Sequence, residues 1–409
     1  MVKQEHGFTL VELMITMVMF LLVIIAASNV FTGLLTQFKQ QSKIAETNIE
    51  GAVSLEMLRR DIESAGYGLP WNVTGVVDAD GDGDFWEHVV SYCEAVSDLN
   101  VTPNPTTFND GSSAFPCPLA VTNGSAPRAI ISGDDSGVNF SAVAGGGADY
   151  LAIKATNVAN NATAQKWTYL NSDGTKTTWS PACENLNKYA TTGDTDCSTG
   201  ASTENTVRVM VISPGAADAN SRALVVNGAF FTQYSNTGGF FDADPTTKET
   251  RMIYGVDRNT DLRMPFNRVD YYIKRPATAA DMPSRCAPNT GILYRATLNQ
   301  SNGQLLNMPI LDCVADMQVV YGLDTDNDGV IDSDTDTIAG LTAQQIRAQV
   351  KRVAVYILAH EGQMDASYTS PATILVGPDA ILGHNFDFGT NINYRWKVYT
   401  LFVRPNNLR

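Results

Sequence analysis

The chain changes polarity abruptly after its seventh residue. Residues 1–7 are short and polar, with one base, Lys3. Residues 8–31 then form a run of roughly 24 mostly apolar positions, long enough to span a hydrocarbon core at about 1.5 Å per residue. No proline interrupts residues 37–65. Leu55, Leu58, Ile62 and Ala65 recur there at three- and four-residue spacing, so the helix is predicted to continue as an amphipathic one. Gly33 and Gly51 are expected to soften it, and Gly66, Gly68 and Pro70 to end it. Beyond this point the pattern loosens. Residues 71–205 are rich in Gly, Asn, Thr, Ser and Asp, with strand-like runs at 150–155 and 207–212. From about residue 250 it tightens again. Runs at 268–273, 291–296, 317–321, 352–359 and 396–403 are predicted strands, and 341–350 a short helix. The class is therefore α+β. A long N-terminal helix, membrane-spanning in its first half and amphipathic in its second, packs on an antiparallel β-sheet domain with large loop-rich insertions.

The apolar run carries one charge, Glu12, one turn inside it. A carboxylate in lipid is costly and marks function by default. The position of Gly7 also matters. A secretory signal has a shorter apolar stretch that ends in its cleavage site. Here the glycine precedes the run, so a cut after it leaves the whole helix on the mature chain.

Composition narrows the partners. The formal charge is -15, and an acidic surface repels phosphate, so no nucleic acid is expected. The six cysteines are Cys93, Cys117, Cys183, Cys197, Cys286 and Cys313, with no C-x-x-C pair. An even count on the exported side of a membrane favours disulfides. Pairing of neighbours (93 with 117, 183 with 197, 286 with 313) is the simplest arrangement.

Two loops carry clustered carboxylates. Asp324, Asp326, Asp328, Asp332, Asp334 and Asp336 alternate along one stretch, with Gly329 at the turn. The spacing lets a short loop aim several oxygens at one centre, which suits calcium. Expected ligands are Asp324, Asp326, Asp328 and Asp332 with the carbonyl of Val330. The helix–loop–helix calcium pattern fails at its twelfth position, Thr335, where Asp332 or Asp334 would supply the missing ligand. Asp78, Asp80, Asp82, Asp84 and Glu87 form a second, less complete candidate. Without a cation these carboxylates repel, so binding would stiffen the domain. No catalytic motif is visible around His6, His88, His360 or His384, and no enzymatic activity is expected.

Gly7-Phe8-Thr9-Leu10-Val11-Glu12-Leu13 resembles the class III signal of type IV prepilins and pseudopilins. The resemblance implies cleavage between Gly7 and Phe8 by a prepilin peptidase and N-methylation of Phe8. It also implies a salt bridge from Glu12 to the terminal amine of a neighbouring subunit. Residues 58–68 are similar to the helix end of PilW-type minor pilins, and less closely to the J-type pseudopilin of type II secretion. Tyr271-Tyr272, Leu293-Tyr294-Arg295, residues 319–324 and 346–358, and the closing Arg395-Trp396 and Arg404-Pro405-Asn406 follow the same family's order. The resemblance covers residues 1–70 and about 265–409. It implies a leader at 1–7, a transmembrane and assembly helix at 8–32, its periplasmic continuation at 33–70, an inserted region at 71–260 and a pilin-like sheet region at 261–409. The implied protein sits in the inner membrane by a single pass with its domain in the periplasm, then enters an extracellular pilus. Its partners would be other minor and major pilins and the pilus assembly machinery. The basic residues Lys39, Lys43, Arg59 and Arg60 outnumber Lys3, so orientation follows from the motif rather than from charge bias. A calcium-dependent tip adhesin, with residues 71–260 as the binding part, and a type II pseudopilin are the alternative readings.

Overall fold

The structure is a computed structural model. It describes residues 9–71, 73–77, 86–89, 91–101, 103–117, 126–134, 147–158, 167–170, 207–213, 223–225, 230, 232–234, 250–257, 262–276 and 278–408.

Helix α1 (Leu10–Ser64) runs unbroken for 55 residues, about 80 Å at the usual rise. Its described side chains are exposed from Leu10 to Lys39. Burial begins only where the helix meets the domain, with Thr47, Ser54, Leu58 and Ile62 on one face. Gly51 does not soften the helix. The ring of Tyr399 lies 3.0 Å from where a Cβ on Gly51 would stand, so this glycine is a place of close packing. The predicted stop holds. Gly66 and Gly68 take φ of 81° and 69°, and a Cβ on Gly68 would collide with Thr156.

The strands follow in chain order. β1 (Thr74–Val77) and β2 (Trp86–Val89) form a hairpin. β3 (Ile130–Asp134) and β4 (Asp149–Ala155) come next, then β5 (Trp167–Leu170), β6 (Val207–Ser213), β7 (Ala223–Val225), β8 (Thr232–Tyr234) and β9 (Arg251–Asp257). The C-terminal part supplies β10 (Asn267–Lys274), β11 (Gly291–Leu298), β12 (Leu305–Leu323), β13 (Ser333–Thr335), helix α2 (Ala343–Gln349), β14 (Val350–Glu361), β15 (Thr373–Val376), β16 (His384–Asp387) and β17 (Arg395–Val403). The main sheet is antiparallel in the order β17-β14-β12-β11-β10-β4-β3, with β13 added beside β12. It crosses the expected boundary at residue 260, because β4 pairs with β10 from Asn267↔Ala155 to Tyr271↔Leu151. β5, β9, β6, β7 and β8 form a second sheet.

α1 covers one face of the main sheet, where Leu58, Ile62 and Ala65 join a core with Met317, Val319, Tyr321, Val355 and Tyr399. The β15–β16 hairpin covers the other, where Val376, Phe386, Phe388 and Trp396 pack on Ala315, Val320 and Leu358. Two polar clamps tie the helix down. Asp61 accepts from Arg295 Nε and the Tyr271 hydroxyl, both at 2.7 Å. Arg285 bridges Glu50 on the helix (2.7 Å) and Asp312 on β12 (3.1 Å).

Residues 92–101 and 103–117 fold over the β4–β10 end of the sheet and bring a buried charge network with them. Lys154 on β4 lies 2.8 Å from Glu94 and 2.6 Å from Asp110. Arg268 on β10 lies 3.0 Å from Glu94 and 2.8 Å from Asp270, and Arg128 lies 2.6 Å from Asp110. Burial works against the Asp110 carboxylate, but Lys154 and Arg128 outweigh it and hold its pKa below the ordinary value. Cys93 is bonded to Cys117 in this segment, and Cys286 to Cys313 on β12. Cys183 and Cys197 lie outside the described residues.

β12 changes partner halfway. Its first half pairs with β11 up to Val314, and its second half pairs with β14 from Val314 to Leu323. Where β11 stops, side chains take over. Asp149 accepts the Val319 N–H at 2.6 Å, and Gln318 donates to the Gly147 carbonyl at 3.0 Å. Asp316 is buried at this seam beneath the hairpin, 3.3 Å from His384 Nε2. Burial raises the Asp316 carboxyl from the ordinary 3.8 to about 7, against its hydrogen bonds from Gln318 and the Met317 amide. A raised folded pKa means that the folded state holds the proton more tightly. The stability from this group is complete below about pH 4 and is lost as pH rises through about 7. Asp316→Asn is expected to flatten the decline in unfolding free energy between pH 4 and 8, by on the order of 4 kcal/mol relative to wild type. Denaturation midpoints of both proteins at several pH values test this, and parallel curves would refute it.

Candidate functional site

The first candidate is the start of α1. Thr9 caps the helix and Glu12 completes a capping box. The Thr9 N–H and hydroxyl both donate to Glu12 Oε2 at 2.9 Å, and the Glu12 N–H donates to Thr9 Oγ1 at 3.3 Å. The Thr-x-x-Glu spacing carries this signal in the sequence, so Glu12 has a local task beyond its charge. It stands at the base of an exposed apolar stretch of the helix that is long enough to cross a membrane. Gly7 and Phe8 lie outside the described residues.

The second candidate is the loop between β12 and β13. Its shape comes from carboxylates folding back on nearby amides. The Gly329 N–H donates to Asp324 Oδ2 at 3.0 Å, and the φ of 92° at Gly329 requires a residue without Cβ. The Asp328 N–H donates to Asp326 Oδ1 at 3.1 Å and the Val330 N–H to Asp328 Oδ1 at 2.7 Å. Asp332 Oδ2 accepts the N–H and the hydroxyl of Thr325, each at 2.7 Å, and the hydroxyl bond chiefly lowers its pKa. Asp324, Asp326 and Asp332 each place a carboxylate oxygen within 4.8 Å of the others. Oxygens that share one calcium at about 2.4 Å lie no more than about 4.8 Å apart, so the three are compatible with a common ion. Asp324 is only 1% exposed, and its Oδ1 has no hydrogen-bond partner. A buried carboxylate oxygen left so is unfavourable unless something positive meets it.

The loop's other expected ligands lie around the same turn. Asp328 stands outside this trio, and Val330 is an exposed residue at the turn. Asp334 pairs through Oδ1 with Arg352 on β14 at 2.5 Å. Asp78, Asp80, Asp82 and Asp84 lie outside the described residues, as does the side chain of Glu87 on β2.

His360 has structural surroundings. Burial lowers the pKa of His360 to about 4, and its Nε2 accepts the Ala287 N–H at 2.8 Å. It stands near Cys286 and Cys313, whose sulfurs are bonded to each other. The residues that sequence reasoning missed are those joining distant segments: Asp61 with Arg295, and Glu94, Asp110, Lys154 and Arg268. Asp61 had a signal, since it falls on the buried stripe beside Leu58, Ile62 and Ala65.

The family described as Type IV Pilus-assembly protein W matches residues 270–407, from the last turn-bounded strands of the main sheet to its edge at β17. The prokaryotic N-terminal methylation motif matches residues 2–28. No curated protein and no solved structure matches the chain. The motif implies processing by prepilin peptidase and assembly with other pilins, and the two matches point to a structural role. With a helix long and apolar enough to cross a membrane behind a methylation-motif match at one end, and a match to pilus-assembly protein W at the other, the chain is similar in make-up to type IV pilus-related minor pilins.

Proposed function

We propose that this minor pilin enters a type IV pilus helix-first and occupies the tip or priming position, its domain facing the periplasm before assembly. One observation carries the reading. The second sheet packs where α1 ends, with the Tyr254 ring edge-on to Tyr67 at 5.9 Å. The extra mass therefore lies at the end of the domain away from the exposed stem, where it would obstruct a subunit stacked above. A terminal position removes that conflict. Labelling the domain with antibody on sheared pili tests it: label at one end of each filament is expected, and label along the shaft would contradict it.

The same reading assigns calcium to the loop of Asp324, Asp326 and Asp332. The unpartnered buried oxygen of Asp324 and the convergence of the three carboxylates support it. Calcium should raise the melting temperature of the detergent-solubilised chain, and a chelator should reverse the rise. An unchanged melting curve would remove calcium from the reading.

A tip adhesin is the second reading. It is favoured by an open cleft of about 640 Å³ at the same end, lined by Trp71, Asp110, Arg128 and Gln344 among others. Removing 71–260 cannot test it, because β3 and β4 belong to the main sheet. Filling the cleft with Gln344→Trp can: pili that form but no longer attach would favour adhesion, and unchanged attachment would count against it.

A further inference from the structure

The acidic loop has a cation of its own. Lys351, the second residue of β14, holds its Nζ 3.9 Å from Asp324 Oδ2, with its side chain 19% exposed. That distance is too long for a hydrogen bond, so Lys351 acts on Asp324 as a charge and not as a ligand. The Asp324 N–H donates to the Gln349 carbonyl at 2.8 Å, which ties the start of the loop to the chain two residues before Lys351. Among the described residues, the loop's ion pairs are Lys351 with Asp324 and Arg352 with Asp334. The first leaves Asp324 Oδ1 buried and unpartnered, and the second engages one oxygen of Asp334.

We propose that Lys351 is a built-in counter-ion that holds the loop together without calcium and keeps its calcium affinity weak. The inference rests on the calcium reading above. Its logic is electrostatic. Calcium bound at Asp324, Asp326 and Asp332 would stand within a few ångströms of the Lys351 ammonium, and two cations at that range repel appreciably in partly dried surroundings. Affinity in such loops follows ligand charge, and here Thr335 stands where a bidentate glutamate would help. Both features place the site in the range of extracellular modules, roughly 10⁻⁴–10⁻³ M. The loop then reports the calcium level outside the cell; it is not a permanently loaded structural site.

Calorimetric titration of calcium into the detergent-solubilised full chain tests this with four proteins. Wild type is expected to bind in that weak range, and Asp324→Asn to lose binding. Lys351→Gln should bind about tenfold more tightly, while Lys351→Arg, which keeps the charge, should stay close to wild type. No binding by wild type would sink the calcium reading itself. Binding by wild type with an unchanged affinity in Lys351→Gln would overturn only the counter-ion. If Lys351→Gln folds with millimolar calcium but not in chelator, the counter-ion role is supported. If it folds in neither, Lys351 does something calcium cannot replace, and the proposal fails.

Discussion

Arg268→Met is expected to destabilise the domain by about 3–5 kcal/mol, the usual result of removing one partner from a buried ion network. Arg268 is completely buried on β10. It binds Glu94 and Asp270 as ion pairs and donates to Asn109 Oδ1 at 2.7 Å and the Pro105 carbonyl at 2.8 Å. Burial alone would weaken its charge, but Asp270 and Glu94 raise its pKa instead. Without it, Asp270 loses its cation and Glu94 keeps only Lys154. The variant should also loosen residues 92–117, because their main attachments to the sheet run through Glu94, Asn109 and Asp110. Arg60→Met is the control. Arg60 pairs with Glu56 at the surface and is mostly exposed, so its loss should change stability by no more than about 0.5 kcal/mol. Guanidinium denaturation of both variants against wild type provides the comparison. Similar midpoints for all three would show that the network contributes nothing net.

Glu12→Ala should leave membrane insertion and leader cleavage intact, yet reduce the protein in sheared pili at least tenfold. A neighbour's terminal amine buried among apolar helices would lose its counter-charge, at a cost of several kcal/mol. The capping box adds a separate and smaller effect, about 0.5–2 kcal/mol of helix-end stability. Glu12→Gln separates the two. Glutamine can keep the box with Thr9 but carries no charge, so it should insert with a normal helix end and still fail to assemble. Recovery of Glu12→Gln in pili at wild-type levels would mean that the cap, and not the charge, is what assembly requires.

Both predictions concern charged residues, but the two were not equally legible. Glu12 stands out because the chain around it is uniformly apolar, and its context is contained in seven consecutive residues. Arg268 does not stand out. It lies in a run predicted as a strand, and nothing near it in sequence names Glu94 as its partner. The acidic loop falls between these cases. Alternating aspartates and Gly329 announced a turn with converging oxygens, and Asp324, Asp326 and Asp332 do converge. Asp334 fits the same spacing, and the fold adds a partner that the spacing does not show, Arg352 on β14. The strands show a similar split. β10, β11, β14 and β17 agree closely with their predicted runs, whereas β12 extends from Leu305 to Leu323 against an expected 317–321. Its first half contains Asn307 and Pro309 and lies half in solvent, so composition hid a strand that pairing with β11 supports.

The sequence by itself determined what depends on near neighbours along the chain. These are the apolar helix and its glycine–phenylalanine start, the stop at Gly66 and Gly68, the antiparallel strands and the acidic turn. Side-chain period, backbone freedom and clustered charge act over a few residues, so each leaves a local mark. Only the tertiary structure decided which distant segments share a charge or a ladder. It brought β4 into the C-terminal sheet, set Asp61 against Arg295, enclosed Glu94, Lys154 and Arg268 together, and left one oxygen of Asp324 unmatched beside Lys351. Those pairings are settled by desolvation, because a buried charge must find whatever partner the packed fold brings within reach.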